Sequence, residues 1–384
     1  MAVGVLRRRP DSGLGNIHAS ASAPSRNIDW VLMGAQGLLA VIGLFVIYSA
    51  SWSKYADPFL FVTRQEIFLL VAAVAMIGVM ALDYDWWRDR ARFLYGATLV
   101  ALVLLFLLGA VSGGAYLSFD FGPLKLQPAE LAKFTVLLNV AAYLAEDRSE
   151  SLPYHRFIMG LMIVGAPTVL IILQPDLGSA SVLVVMVMGI MLVAGAKLRY
   201  IALITGVSLA TVGAALVSGL VSDYQLRRFT AFFDPAGADP DLIYQGRNAI
   251  RAIATGGLTG KGWLKGPITL ARNDIPVQWA DFPFSAVGEQ FGFVGCAVIV
   301  ALYAVVLLRI WRIAHLSRDL LGTYLCAGVF AILLWQVFQN IAMTVGVMPI
   351  TGLPLPFVSY GGSGVVAFSM LLGLVQNVHM RRYR

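Results

Sequence analysis

Ten apolar stretches recur along the chain, at about 29–50, 60–81, 92–112, 128–145, 157–173, 177–194, 200–219, 285–309, 321–345 and 359–379. Most hold some 20 residues with few charges, the length a helix needs to cross the ~30 Å hydrocarbon layer of a bilayer. The pattern predicts an all-α polytopic membrane protein with about ten transmembrane helices. The fifth and sixth stretches are short and meet at QPDLG, where Pro175 and Gly178 break the helix. A tight hairpin re-entering the apolar layer is expected there. Before the first stretch, residues 1–28 are polar and lack an apolar run long enough for a signal peptide. They read as a disordered cytoplasmic tail, with the membrane domain following over 29–380.

Composition agrees with this class. Of 384 residues, 59% are hydrophobic and only 13% charged, against roughly 25% charged in soluble domains. The two cysteines, Cys296 and Cys326, fall inside apolar stretches and read as small core residues. Charge sets the orientation. With both termini inside, the inner segments carry 17 of the 28 Lys and Arg residues, whereas the short outer loops hold only Lys54, Arg64 and Lys125. That asymmetry predicts an N-in, C-in topology. The net charge of +7 then needs no nucleic acid to explain it, because basic inner loops face anionic lipid.

One long outer loop, about 220–284, lies between helices seven and eight. Within it, IYQGRNAIRAIATGG is read as a helix with Ile243, Ile250 and Ala254 on one face and Arg247 and Arg251, at i,i+4, on the other. A helix lying on the membrane surface is expected.

Ionisable groups within or beside a span are candidates for chemistry. Glu130 and Lys133, at i,i+3 in QPAELAK, open the fourth span; Asp281 and Glu289 flank the start of the eighth; Asp176 sits in QPDLG. In this topology all converge on the outer face. Each has a plainer reading: an ion pair for Glu130 and Lys133, helix caps for Asp281 and Asp176, lipid headgroup contacts for the loop arginines. His18, His155, His315 and His379 all fall on the inner side, which leaves the outer face without a histidine base or zinc ligand. There is no P-loop and no GxGxxG. An outer site in this chain must use a carboxylate as base.

Five stretches, QPAELAK, QPDLGSA, GGLTGKGWLKG, DFPFSAVGEQFGF and PITGLPLPFVSYGGSG, resemble motifs of the SEDS family (shape, elongation, division and sporulation) over nearly the whole chain after Asp29. The GKGWLKG run is more similar to the rod-shape branch than to the division branch. The resemblance implies a ten-helix glycosyltransferase of the bacterial cytoplasmic membrane. It would polymerise lipid II at the outer face beside a class B penicillin-binding protein. By motif, Asp281 matches the catalytic aspartate, Glu130 and Lys133 the PSELxK charges, and Glu289 the first glutamate of EELG. Several positions depart from the family pattern: Trp279-Ala280 for His-Thr, Gln290 for the second Glu, Ala129 for Ser, Ala115-Tyr116 for Arg-Trp, and Asn248-Ala249 for Gln-Ser.

Under that resemblance Asp281 is the expected general base of an inverting transfer. Lys133, oriented by Glu130, is expected to keep it ionised. The pool of cations for the diphosphate is Arg227, Arg228, Arg247, Arg251, Lys261 and Lys265, with Arg247 and Arg251 favoured. A divalent cation is a further candidate there. Ser359 and Tyr360, in a Pro- and Gly-rich loop tolerable at membrane depth only where it lines a cavity, are expected polar handles. Their alternative is a structural turn. Two rival functions stay open, a lipid II flippase and a non-catalytic scaffold for the penicillin-binding protein.

Overall fold

The computed structural model describes residues 24–53, 57, 59–112, 115–120, 125–147, 152–217, 226, 228, 232–233, 240–271, 275 and 277–383. Each of the ten apolar stretches coincides with a helix: α1 (Trp30–Ser51), α2 (Leu60–Ala81), α3 (Tyr84–Leu108), α4 (Pro128–Ala145), α5 (Tyr154–Leu173), α6 (Leu177–Val193) and α7 (Leu198–Val217). After three elements of the long loop, α8 (Pro240–Gly256), α9 (Pro267–Leu270) and α10 (Gln278–Asp281), come α11 (Pro283–His315), α12 (Leu320–Thr344) and α13 (Gly362–Met380). Seven of these, α1, α2, α3, α5, α11, α12 and α13, are long and apolar enough to cross a membrane. Aspartates start four helices: Asp29, Asp83, Asp176 and Asp319 each accept a backbone N–H of the first turn.

The all-α expectation needs one correction. The third apolar stretch does not stay helical to 112. It stops at Leu108, the Gly109 amide bonds the Leu105 carbonyl at 2.9 Å, and the chain enters a small antiparallel sheet. Its order is β1 (Ala110–Ser112), β2 (Ala115–Asp120), β3 (Lys125–Leu126).

Burial separates an inner layer from an outer one. Fourteen of 18 residues of α4 are buried, and α12 and α13 are similarly enclosed. By contrast α2 buries only Gln65, Phe68, Ala72, Met76, Val79 and Met80. At one end of the bundle the two chain ends meet. Arg309 donates to Asp29 at 2.5 Å, Asn377 Nδ2 to Val79 O at 2.6 Å, and Arg381 pairs with Asp83 at 3.2 Å. Of the expected 1–28 tail, residues 1–23 lie outside the described ones, while His379 Nδ1 stands 2.8 Å from the Asn27 carbonyl. The opposite end carries α8–α10 and the sheet.

There α11 is broken. Gly292 takes φ 63, ψ −158 inside it, a conformation open essentially to glycine alone. A break frees backbone groups that cannot remain unpaired in an apolar medium. The GGLTGKG stretch supplies their partners. Lys261 N donates to Glu289 O and Gly262 N to Gln290 O, while Phe293 N donates to Gly257 O and Val294 N to Leu258 O, at 2.9, 2.9, 2.9 and 3.1 Å. The close approach explains Gly260. It has φ 84, and a Cβ there would overlap the Gln290 carbonyl.

Candidate functional site

The centre of the polar end is a cavity of about 180 Å³ lined by Glu130, Asp281, Gly352, Pro354, Ser359, Tyr360 and neighbouring residues of the 352–368 segment. Four elements meet there. Glu130 comes from the first turn of α4, which Pro128 opens. Asp281 ends α10, outside the long helices. The third wall is the loop before α13, and the fourth is the start of α13, with Ser363, Gly364, Val365 and Phe368; α12 lines none of it but ties the others together. Asn340 Nδ2 donates both to Asp281 O (3.0 Å) and to Leu353 O (2.8 Å), and Gln336 Nε2 donates to Pro354 O (3.0 Å). From the outer layer, Gln65 accepts from Gly361 N at 3.1 Å.

Asp281 does not cap α11. That helix begins after Phe282 with no side-chain cap, so the plain reading of Asp281 as a cap does not hold. Burial raises its carboxyl to about 6, and the positive charge of Arg228 opposes that rise. The cation acting on Asp281 is therefore Arg228 rather than the expected Lys133. The Lys133 ammonium is fully buried and bound at 2.6 Å to Glu130 Oε1 and at 2.9 Å to Gln336 Oε1. The ring of Phe368 lies 5.3 Å from it. Lys133 neutralises Glu130 and locks it to α12. One oxygen of Glu130 remains: Oε2 is buried and meets no protein donor among the described residues.

Arg228 also lines a second cavity, of about 230 Å³, together with Arg247 and the apolar groups Ile243, Ile250, Met343 and Ile350. Gly352 stands between the two cavities. A Cβ on it would lie 3.1 Å from Arg228 Nη1. Of the favoured pair, Arg247 thus faces a cavity near Asp281. Arg251 is exposed on α8 and lines neither cavity. Arg227 lies outside the described residues. The faces expected for α8 do not hold: Arg247, at i+4 from Ile243, lines the second cavity on the same side as Ile243 and Ile250, and the buried face lies elsewhere. Asn248, Ala249 and Ala252 are buried, Ile250 is 42% exposed, and Gly256 lies so close to Gly288 that a Cβ would overlap its carbonyl oxygen. The helix packs on α11 through small residues.

Other expected site residues have structural duties. Glu289 is fully buried; its oxygens accept from Ile268 N at 2.8 Å and Thr269 N at 2.7 Å, so it fastens α9 rather than facing the cavity. Gln290, where the family pattern has a second glutamate, accepts from Leu264 N (3.1 Å) and donates to Ser49 Oγ (3.0 Å). The amide supplies a donor that a carboxylate lacks. Asp176 caps α6 through Ser179 N (2.9 Å) and accepts from Gln127 Nε2 (3.4 Å); it touches the cavity only through Gln127. Lys261 is exposed on the loop beside the α11 break. Ser359 forms a turn, its Oγ accepting from Leu355 N at 2.7 Å. Tyr360 is anchored by its amide to Trp279 O at 2.9 Å and its ring packs edge-on against Phe61 at 5.1 Å. Among the described residues no three His, Cys, Asp or Glu side chains are grouped to hold a metal.

Sequence reading missed Gln336 and Asn340. Their signal was present: Gln336, Gln339, Asn340 and Thr344 form an i,i+3,i+4,i+8 polar stripe in an otherwise apolar helix.

A helical bundle with a half-buried carboxylate lining a cavity, a buried ion pair and guanidinium groups at one end defines a polytopic membrane protein with an active-site-like cavity at its polar face. Residues 29–384 match the model of the cell cycle protein family FtsW/RodA/SpoVE, and the chain belongs to that family. Stage V sporulation protein E of Bacillus subtilis is 33% identical over 354 residues, 89% of this chain and 94% of that protein. The peptidoglycan glycosyltransferase MrdB of Escherichia coli is 32% identical over 356 residues, 90% and 93% of the two chains. A chain of a peptidoglycan synthase complex that coordinates polymerization and crosslinking superposes with a TM-score of 0.76 at 30% identity, over 93% of this chain and 99% of that one. RodA of Thermus thermophilus superposes at 0.69 and 28% identity, over 93% and 98%. Sporulation and rod-shape relatives thus stand almost equally near, and identity does not single out the rod-shape branch.

Proposed function

We propose that this chain is a peptidoglycan glycosyltransferase that polymerises lipid II at the outer face of the bacterial cytoplasmic membrane, with Asp281 as general base. It is further proposed to cross that membrane ten times, with both termini inside, and to act beside a class B penicillin-binding protein. Membership of a family whose relatives are named peptidoglycan glycosyltransferases supports the enzyme class. The observation that carries the residue assignment is the half-buried Asp281 carboxylate, raised to about 6, in a cavity that it shares with Glu130.

Lipid II carries an α-linked diphosphate, and a β-1,4 product requires inversion. The acceptor hydroxyl must lose a proton as it attacks the anomeric carbon on the face opposite the diphosphate, and one carboxylate suffices as base. Asp281 takes that proton. The departing diphosphate needs cationic groups where its charge develops, a role assigned to Arg228 and Arg247. A divalent cation would suit hard oxygen donors; the spare Oε2 of Glu130 together with the diphosphate oxygens would hold it and help offset the diphosphate charge. Glu130 and Lys133 are positioning residues.

The test is glycan polymerisation from lipid II by the purified protein, alone and with its class B partner, for wild type and Asp281→Asn. Removal of a general base costs about 10²–10⁴-fold. Polymer from wild type and loss on that scale in a folded variant supports the assignment. Equal polymer from both refutes Asp281 as base. None from either, with the partner present, favours the scaffold or, where reconstituted vesicles translocate the lipid, the flippase.

A further inference from the structure

A groove of about 450 Å³ runs between α1 and α11, walled by Ile42, Phe45, Val46, Phe291, Val294 and Val298. It shares no lining residue with the Asp281 cavity. The break at Gly292 shapes it, and the 256–266 loop that pairs with the break closes its outer end, with Thr259 in the wall. Two observations define the chemistry at that end. Trp263 of the loop stacks on Tyr48 at 5.8 Å and meets Phe45 edge-on at 6.0 Å, while Tyr48 also contacts Trp52 and Phe59. Such an aromatic cluster marks the headgroup level of a bilayer. At that level the loop exposes Lys261 and Lys265. Segment 256–271 contains no Asp or Glu, and neighbouring Glu289 is buried with both oxygens taken by backbone amides.

We propose that this groove is a site for an anionic phospholipid of the outer leaflet, one acyl chain lying between α1 and α11 and the phosphate meeting Lys261 and Lys265. An apolar slot topped by two exposed lysines that form no ion pair among the described residues complements a lipid with a net negative headgroup. A zwitterionic lipid fills the slot equally but offers no net charge to the lysines.

The experiment is native mass spectrometry of the purified full-length protein titrated with phosphatidylglycerol or phosphatidylcholine. Wild type should bind phosphatidylglycerol more tightly. Each lysine near a membrane surface is worth about 5-fold in binding, so Lys261→Gln with Lys265→Gln should erase a preference of roughly 25-fold. Both side chains are exposed, so an unchanged melting curve is expected and is measured alongside. Val298→Trp, which fills the slot, should weaken both lipids. Equal binding of the two lipids by wild type overturns the proposal, as does a preference that survives loss of both lysines. Displacement of phosphatidylglycerol by an equimolar polyprenyl diphosphate would reassign the groove to the substrate's tail and overturn it too.

Discussion

At the residue scale, the chain is organised around one carboxylate and the cation that acts on it. The carboxylate was legible because an aspartate beside a long apolar helix demands an explanation. The cation was not. Lys133 sits three residues from Glu130, and that spacing correctly announces their pair. It also exhausts Lys133, whose ammonium spends its hydrogen bonds on Glu130 and Gln336. Arg228, more than fifty positions from Asp281 along the chain, comes near it only in the folded structure. The titration of Asp281 follows. Burial raises its carboxyl to about 6 while Arg228 holds it down. As the proposed base, Asp281 is active when deprotonated, so activity should rise with pH along an acid limb near 6, well above the ordinary ~3.9 of an aspartate. Arg228→Ala removes the lowering influence and should move that limb to higher pH. The kcat-versus-pH profile of polymerisation, measured for both proteins, checks this. A limb near 4 in wild type, or one unmoved in the variant, refutes the pairing. Protonation is favoured by burial, so at pH 7.5 Asp281→Asn should melt no lower than wild type, which separates loss of base from loss of fold.

At the element scale, the long helices were readable because 17 or more apolar residues in a row leave few alternatives. The sheet at 110–126 was not, since its first strand continues an apolar run without a change of composition. The face of α8 was misread for a related reason. Its small residues Ala249, Ala252 and Gly256, not its large ones, face α11, because close backbone approach excludes side chains. The same rule governs the α11 break, where the glycines of GGLTGKG bring their backbone against the broken helix as a plug. Gly292→Ala would force a φ of 63 on a residue with a Cβ, which would also lie 2.5 Å from Gly260 N. A cost of about 1–3 kcal/mol is expected from the backbone alone. Glu289→Gln should act through the same region. It replaces one of two acceptors for the Ile268 and Thr269 amides with a donor, leaving an amide unpaired at about 1–3 kcal/mol. Both variants should melt lower, and Glu289→Gln should keep the wild-type acid limb. A Glu289→Gln protein that melts like wild type yet loses polymerisation would return Glu289 to the chemistry.

At the scale of the whole molecule, burial and membrane crossing pull the composition of a helix in different directions. α4 carries Glu130, Lys133 and Asn139 and falls outside the seven helices apolar enough to cross by composition, yet it is the most enclosed of the early ones. A helix shielded by its neighbours need not satisfy the lipid itself, so it can bear the ion pair that the site requires. The ten-helix reading therefore rests on connectivity as much as on hydropathy. Alternating helix ends place Asp29, Asp83, Arg309 and Arg381 together at one pole, and α8–α10 at the other. If α4, α6 and α7 cross as the rest do, the basic pole is cytoplasmic and the Asp281 cavity faces out, where lipid-linked sugar would be polymerised. Cysteine labelling decides this. Native Cys296 and Cys326 are buried and should stay silent. Thr255→Cys, exposed on α8, should react with an impermeant maleimide added to intact spheroplasts. Lys197→Cys, exposed before α7, should react only after the membrane is opened. Reactivity of both from the same side would remove a crossing between them and, with it, the outward-facing site.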